Sequence, residues 1–226
     1  MLLRVPIGTV VPSGIHCALK SRSCIEMHRF PAVGRNSMKL RHFVVSFSLR
    51  MRHSSVGAVS CMKQSVVRLK ALFGAWRRGS TTMTETASNI AKYILCHFRA
   101  KGDPIDNLKL QKLLYYTQAW YLAINGIPLF SDQIEAWVHG PVVPSVFREY
   151  RAYRWSPITA DVSYQPDSGT ANHIDVVLVA YGEYSAWDLE KLSHSEEPWK
   201  QARAGIPPDQ SSRSIITHES MRAFYQ

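Results

Sequence analysis

Two histidines with acidic neighbours are the residues of this sequence whose types and spacing could do chemistry. His139 lies four positions after Glu135, so a carboxylate could orient the imidazole for general-base catalysis. Alternating apolar and polar residues predict a short strand over 133–138, which would put both side chains on one solvent-facing side. A solvated pair is commoner there than a catalytic one, so hydrolysis by His139 is the weaker interpretation.

His194 is the second candidate, because Glu196 and Glu197 follow it closely. One imidazole and two carboxylates could bind a metal ion, but a single histidine in a segment that begins a helix is more typical of a capping or solvated cluster. The sequence contains no CxxC pair, P-loop, GxGxxG turn, GxSxG elbow or HExxH helix. It therefore predicts no catalytic residue, metal or cofactor, and a hydrolase that uses His139 or His194 is kept only as an alternative.

Large aromatic side chains are stronger candidates for function than the histidines. Trp137, Trp187 and Trp199 are amphipathic rings of the kind that dominate protein–protein hot spots. Packing in the core is the commoner role for such rings, so both interpretations stay open.

A long helix must position many of these residues, and it is predicted from Leu108 to about Asn125. Its leucines recur at the i, i+3, i+4 spacing of a core-facing stripe. The same pattern predicts that the polar positions face water: Lys109, Gln111, Lys112 and Gln118. Tyr115 and Tyr116 widen the apolar side, so the helix either lies between two layers or presents an aromatic face to a partner.

The remaining pattern predicts a mainly α fold, with about seven helices and a small β element in a single compact domain. Gly140 and Pro141 are expected to turn the chain into a helix that tolerates Pro144 in its first turn. Other helices are expected over about 86–100 and 172–181, from 185 to 192, from 195, and after Thr217. Residues 151–172 are expected to be mostly loop.

The charge of the chain is divided unevenly between two regions. The formal net charge is +10, but residues 1–82 contain 14 Lys and Arg and only one acid, Glu26. Residues 83–226 contain the other 13 basic and 16 acidic side chains, a balance of −3. A neutral to slightly acidic domain argues against nucleic-acid binding by the domain itself. We expect nucleic acid as a partner only if residues 1–82 belong to the native protein.

Residues 1–82 form a basic extension of low predicted order, and three interpretations compete. The segment could be a disordered basic arm, an organellar presequence, or the product of a mis-called start codon with the true start at Met83. We favour the last, and we expect a chain that begins at Met83 to fold. No run reaches the roughly 18 apolar residues that a membrane span needs, so no membrane partner is expected. The cysteine usage fits a reducing cytoplasm.

Three segments of the domain resemble the SocA-like Panacea domain family, which contains antitoxins of bacterial and phage toxin–antitoxin systems. They are KLQKLLYYTQAWYLAINGIPLF at 109–130, IEAWVHGPVVPSVFREY at 134–150 and YGEYSAWDLEKLSHSEEPWKQAR at 181–203. The resemblance covers 83–226 and leaves 1–82 outside. It identifies these residues as signature or partner-binding positions: Lys112, Tyr115, Tyr116, Trp137, His139, Gly140, Pro141, Pro144, Tyr150, His194, Pro198 and Trp199.

The resemblance implies a cytoplasmic, non-enzymatic antitoxin that neutralises a co-encoded toxin by direct binding. In some relatives the toxin is handed to a cellular protease, which makes such a protease a second expected partner. The same fold would also allow a regulatory or proteolysis adaptor associated with a phage or mobile element. Gly140, Pro141 and Pro144 are expected to shape the backbone, because their chemistry fixes geometry and offers little to bind.

Overall fold

The computed structural model describes residues 85–226, so the predictions for residues 1–82 lie outside the described residues. Within 85–226, seven α-helices and a two-stranded sheet confirm the mainly α fold with a small β element. In chain order the elements are α1 (Ala87–Ala100), α2 (Asn107–Asn125), β1 (Glu135–Trp137), β2 (Gly140–Val142), α3 (Pro144–Tyr150) with a 3-10 turn at Arg151–Tyr153, α4 (Ser168–Tyr181), α5 (Ala186–Ser195), α6 (Glu197–Ala202) and α7 (His218–Tyr225).

Helix α2 is the centre of the domain, and every residue from Leu110 to Trp120 is buried. Helices α1, α3, α4, α5 and α7 and strand β2 all contact it. Tyr115 and Tyr116 are fully buried, so the wide aromatic side of this helix is core and offers no partner surface. The helix lies between layers, which is one of the two arrangements that the sequence allowed.

The prediction that the polar positions of α2 face water is wrong for three of its four residues. Gln111, Lys112 and Gln118 are at most 1% exposed, and Lys109 is half-buried with its amine 4.9 Å from the centre of the Phe98 ring. The pattern fails because residues on this side pack under backbone that arrives from distant parts of the sequence. Buried polar groups are tolerated only where such partners exist.

The buried amides of α2 bind the backbone of the chain that follows the helix. The Gln118 carbonyl oxygen accepts from the backbone N–H groups of Leu129 and Phe130, at 2.9 and 3.2 Å. Its amide nitrogen donates to the Phe130 carbonyl at 2.9 Å. Gln111 accepts from the Val143 N–H at 2.8 Å. Two polar side chains of the helix therefore fix the two ends of the segment that contains the sheet.

The sheet is an antiparallel hairpin in which Ala136 opposes Pro141 and Trp137 opposes Gly140. The predicted strand at 133–138 is confirmed in shorter form as β1. The expected turn at Gly140 and Pro141 is wrong, because these residues form β2 and the chain turns at 138–139. Proline is tolerated in β2 because this short hairpin leaves edge positions that need no N–H donor. Residues 214–216 flank the other side of β1, with Ile216 N–H donating to the Ile134 carbonyl at 2.8 Å.

Side-chain caps fix the starts of most helices. Thr86, Asp106, Ser185 and Thr217 each accept from a backbone N–H three residues later, as short polar N-caps do. Helix α4 starts earlier than expected, at Ser168, because Asp167 caps it and the Ser-Gly pair read as loop forms its first turn. Among the helices that the structure describes, none combines the length and the hydropathy that crossing a bilayer requires.

Candidate functional site

Lys112 and Gly140 meet at the point where α2 passes beneath the hairpin. The Lys112 side chain is fully buried, and its amine donates to the Pro141 carbonyl at 3.1 Å. Gly140 has a φ of +95°, and a Cβ atom there would lie 2.8 Å from both Cε and Nζ of Lys112. Only glycine combines this backbone conformation with such a close approach. The signature lysine and the signature glycine therefore form one packing unit.

A carboxylate on α5 faces this buried amine. Glu190 is 7% exposed, and its Oε1 lies 3.1 Å from Nδ1 of His139 on the hairpin turn. Burial lowers the pKa of Lys112 to about 7, while the negative charge of Glu190 acts in the opposite direction. The His139 side chain is 56% exposed. The group of Lys112, Glu190 and His139 thus runs from the core to the surface at the hairpin turn.

A second buried carboxylate, Glu196, is held by tyrosine hydroxyls. Tyr225 donates to it at 2.6 Å, Tyr115 at 3.1 Å and Tyr116 at 3.2 Å. Burial, followed by the charge of Glu196, raises the pKa of these three hydroxyls well above the ordinary tyrosine range. They therefore stay protonated donors. Glu196 joins α2 to the start of α6 and to the C-terminal helix α7.

His194 and Trp199 connect the same region to the hairpin. Their rings stack with centres 4.0 Å apart and an interplanar angle of 18°, and the Trp199 indole N–H donates to the Trp137 carbonyl at 3.1 Å. Arg203 also packs on Trp199, with its guanidinium 5.2 Å from the centre of the Trp199 ring. It donates to the Ala136 carbonyl at 3.1 Å. Helix α6 is thereby fixed to β1.

The proposed arrangements for catalysis and metal binding are not the ones observed. Glu135 accepts from the indole N–H of Trp137 at 2.6 Å, whereas His139 contacts Glu190. The expected pairing of Glu135 and His139 on one strand face is therefore wrong, because β1 ends at Trp137. Glu196 was expected in a solvated cluster but is 2% exposed. Within residues 85–226, no group of three or more His, Cys, Asp or Glu side chains is placed to hold a metal ion.

Two tryptophans lie at the surface on either side of this junction. Trp155 is 68% exposed and its ring contacts that of His139 edge-on, with centres 5.8 Å apart. Trp187 is 58% exposed and lies under the amine of Lys191, 5.3 Å from the ring centre. Trp187 precedes Glu190 by three residues on α5, which places both on neighbouring positions of that helix. Of the three tryptophans that the sequence singled out, Trp199 is core, Trp187 is surface and Trp137 is half-buried.

The structure brings most of the signature residues together around α2, the hairpin and the α5–α6 junction. Only His139 is exposed. Trp137, Pro144 and His194 are half-buried. The others are buried: Lys112, Tyr115, Tyr116, Gly140, Pro141, Tyr150, Pro198 and Trp199. Pro144 occupies the first turn of α3 as expected, and Tyr150 ends that helix away from the Glu196 cluster. Whether any of them binds a partner stays a prediction.

Three residues of this site were missed from the sequence, and a fourth was misinterpreted. Glu190 lies four positions before His194, a helical spacing that could have joined it to the signature. Arg203 closes the third matching segment. Glu196 was noticed but interpreted as solvated. Trp155 follows arginines at three-residue spacing, a basic and aromatic pattern that indicates a recognition surface.

The chain is similar in sequence to known proteins. The model of the family described as "Antitoxin SocA-like, Panacea domain" matches residues 110–200, which include α2, the hairpin and the α5–α6 junction. A relative, "Antitoxin SocA" of Caulobacter vibrioides (strain NA1000 / CB15N), is 35% identical over 127 residues. That alignment covers 50% of this chain and 68% of the relative. No solved structure matches the chain. With the signature residues assembled in one place and this relative covered over two thirds of its length, the chain belongs to the SocA-like Panacea domain family.

Proposed function

We propose that this protein is an antitoxin that neutralises a co-encoded toxin by direct protein–protein binding. The observation that carries the proposal is the 35% identity over 127 residues to a protein named Antitoxin SocA, together with the match of residues 110–200 to the family model. The exposed ring of Trp155, which meets His139 edge-on, supports it, because large exposed aromatic residues are typical of binding surfaces.

We also propose that neutralisation needs no catalysis. The buried groups that could do acid–base chemistry are engaged within the domain: the Lys112 amine with a backbone carbonyl and Glu196 with tyrosine hydroxyls. His139 and Glu190 reach the surface as a pair, but such a pair also serves to hold a hairpin turn in place. A binding protein acts in a stoichiometric ratio to its partner, whereas an enzyme acts at a small fraction of it.

Co-expression with the product of the neighbouring gene tests the proposal. We expect that product alone to stop cell growth, the full chain to restore growth, and the two proteins to co-purify. In a titration at fixed toxin, protection should saturate at a stoichiometric ratio. A neighbouring gene that is harmless alone, or toxicity that persists beside well-expressed chain, would contradict the antitoxin function. Complete protection by a small fraction of the toxin's amount would contradict a purely binding mechanism.

A fall in toxin abundance during co-expression would indicate delivery to a cellular protease. Steady toxin abundance with restored growth would indicate neutralisation by binding alone. The comparison needs only an immunoblot of the toxin in cells with and without the chain.

A further inference from the structure

Four aromatic rings pair between the hairpin and residues 144–155, which comprise α3, the 3-10 turn and Trp155 and are called the α3 segment below. Trp137 and Phe147 meet edge-on with ring centres 4.9 Å apart, and His139 and Trp155 meet in the same way at 5.8 Å. Trp137 and His139 are two residues apart on the hairpin, and their partners lie on the α3 segment. Trp155 and His139 are exposed, while the other two rings are half-buried. We call Trp137, His139, Phe147 and Trp155 the aromatic row.

Three exposed arginines lie on the same α3 segment at three-residue intervals. Arg148 and Arg151 are one helical turn apart, and Arg154 follows after the 3-10 turn. Like charges at this spacing repel one another by a few tenths of a kcal/mol per pair. Within the described part of the chain, none of these guanidinium groups has a side-chain hydrogen bond or an ion pair. We call Arg148, Arg151 and Arg154 the arginine row.

Three acids that adjoin the arginine row or the aromatic row are hydrogen-bonded to groups other than these arginines. Glu149 accepts from the Ser88 hydroxyl at 2.7 Å, and Glu135 accepts from Trp137 at 2.6 Å. Glu190 contacts His139. The domain as described contains more acids than bases, yet none of these three is placed to neutralise the row. The exposed arginine row is therefore free to pair with carboxylates of another molecule.

The backbone at the end of the arginine row is strained. Arg154 has a φ of +54°, and it is the only non-glycine residue with positive φ between residues 85 and 226. Such a conformation is unfavourable for a side chain with a Cβ and is found most often at binding and catalytic sites. Here it precedes Trp155 and accompanies the exposure of that ring. The strain, the free arginines and the exposed aromatic rings therefore occur at one place.

We propose that the aromatic and arginine rows are the surface that docks an acidic segment of the toxin. Carboxylates of the partner would pair with the planar guanidinium groups, which suit bidentate contacts, and an apolar side chain would pack on Trp155 and His139. The inference rests on the proposed function, because it names the part of this chain that the toxin contacts. It also names the chemistry of the partner surface: acidic residues beside an apolar anchor.

Charge argues against the other occupants of this surface. Residues 1–82 have a net charge of +13, so the arginine row repels them. Nucleic acid would meet three arginines on a domain whose balance over residues 83–226 is −3, which opposes the long-range attraction that phosphate binding requires. An acidic protein segment complements the positive charge of the arginine row, and its binding does not require long-range attraction by the whole domain.

The test measures binding of the full chain to the purified product of the neighbouring gene by calorimetry, at about 0.15 M salt, where distant charges are screened. The variants are Trp155→Ala and the double change Arg151→Glu with Arg154→Glu. Matched controls are Trp187→Ala, the other tryptophan that is more than half exposed in the described domain, and Arg222→Glu, an exposed arginine on α7. Thermal melting by circular dichroism checks folding. Arg148→Glu serves as a second charge variant if the double change lowers the melting temperature.

We expect Trp155→Ala to raise Kd at least tenfold. The double arginine variant should raise Kd at least thirtyfold, which corresponds to the loss of about 2 kcal/mol that is typical of a hot spot. The controls should stay within about twofold, and the Kd of the double variant should depend less on salt than that of the unmodified chain. Binding by the unmodified chain together with unchanged Kd in the patch variants would overturn the docking surface and leave the proposed function standing.

Two other results would also overturn the inference. No binding and no protection by the unmodified chain would remove the proposed function, and the docking surface with it. Patch-dependent binding of a labelled oligouridine, with unaltered binding of the neighbouring gene product, would make the surface a nucleic-acid site.

Discussion

At Gly140 the backbone of the hairpin lies directly against the buried Lys112 side chain. Its positive φ and the contact with Lys112 both exclude a side chain. Lys112 in turn uses its amine to hold the Pro141 carbonyl, the next residue along. A buried lysine is costly unless its amine has partners. These three signature residues depend on one another: Gly140 leaves the space that the Lys112 side chain occupies, and Pro141 supplies the carbonyl that the Lys112 amine requires.

Replacing Gly140 by alanine should destabilise the fold by about 2–4 kcal/mol. Roughly 1–2 kcal/mol comes from a Cβ at positive φ, and the rest from displacing the Lys112 side chain. Gly126→Ala is the matched control, since Gly126 also has positive φ but nothing lies within 4 Å of an added Cβ. Urea unfolding of the two variants measures the difference. Equal losses in both would show that the approach of Lys112 adds nothing.

Residue types predicted part of this site and misplaced the rest. Gly140 and Pro141 were expected to shape the backbone; Gly140 has a φ of +95°, but both residues lie in β2 and the chain turns at 138–139. Lys112 was expected at the surface, because a charged side chain at a position outside the apolar stripe of a helix usually faces water. In the core, the Lys112 amine donates to the Pro141 carbonyl, and the charge of Glu190 favours its protonated form. Neither residue is close to Lys112 in the sequence. Long-range partners of this kind cannot be inferred from helical periodicity.

At the level of elements, α2 organises the domain by fixing the chain that follows it. Gln118 fixes the backbone at 129–130, Lys112 fixes β2, and Gln111 fixes the residue before α3. These contacts span 12, 29 and 32 residues. The hairpin is too short to be stable alone. Its position, and with it the orientation of Trp137 and His139, depends on the polar side of a buried helix.

Gln118→Leu should cost about 2–5 kcal/mol although leucine keeps a similar volume. The change leaves two buried N–H groups and one carbonyl near Phe130 without partners, and each such group costs about 1–3 kcal/mol before local relaxation. Gln201→Leu, at an exposed position of α6, is the control and should change stability by less than about 0.5 kcal/mol. A near-neutral effect at Gln118 would mean that water replaces the amide.

Elements were predicted well where local signals define them. The ends of α1 and α2 agree with the sequence because Asp106, Gly126 and similar caps act within one turn. The strand β2 was missed because a Gly-Pro pair has little tendency to form a strand by itself. It is extended here because it pairs with β1 and because Gly140 packs on Lys112. Helix α4 was started too late because the Asp167 cap precedes a Ser-Gly pair that is typical of loops.

At the scale of the whole molecule, the described domain separates a buried polar interior from a basic and aromatic surface. Glu196, the tyrosines and Lys112 stabilise the interior, while Trp155 and the arginine row lie outside. The net charge of the full chain pointed towards nucleic acid, yet most of that charge belongs to residues 1–82. The sequence predicted the fold class and the family, because both depend on many weak signals that add. The sequence could not distinguish buried aromatic residues from exposed ones, because aromatic residues occur at the same helical spacing in the core and at a binding surface.

Acid should destabilise the domain through His173, which is buried on α4. Burial lowers the pKa of His173 from 6.5 to about 4, although its ring nitrogen Nε2 lies 2.9 Å from the Thr117 carbonyl. Between these pH values the unfolded chain binds a proton that the folded chain excludes. The free energy of unfolding therefore falls as pH drops from 6.5 towards 4.

His173→Gln keeps a donor for the Thr117 carbonyl and does not titrate, so it isolates this effect. We expect the unmodified protein to lose up to about 3 kcal/mol more than the variant between pH 6.5 and 4, at about 1.4 kcal/mol per unit of pKa. Urea unfolding at several pH values measures both proteins. Parallel pH profiles would contradict the lowered pKa, because they would show that His173 titrates alike in the folded and unfolded chains.

Hydrogen–deuterium exchange of the full chain, alone and with the product of the neighbouring gene, tests the central claim most directly. The signature residues of α2 lie in the core, and we propose that the toxin binds the aromatic and arginine rows. Binding should therefore slow exchange at residues 137–139 and 147–155, and leave exchange at 112–116 unchanged because those amides are already protected in the core. Slowed exchange confined to another face, or no change anywhere in a complex that forms, would contradict it.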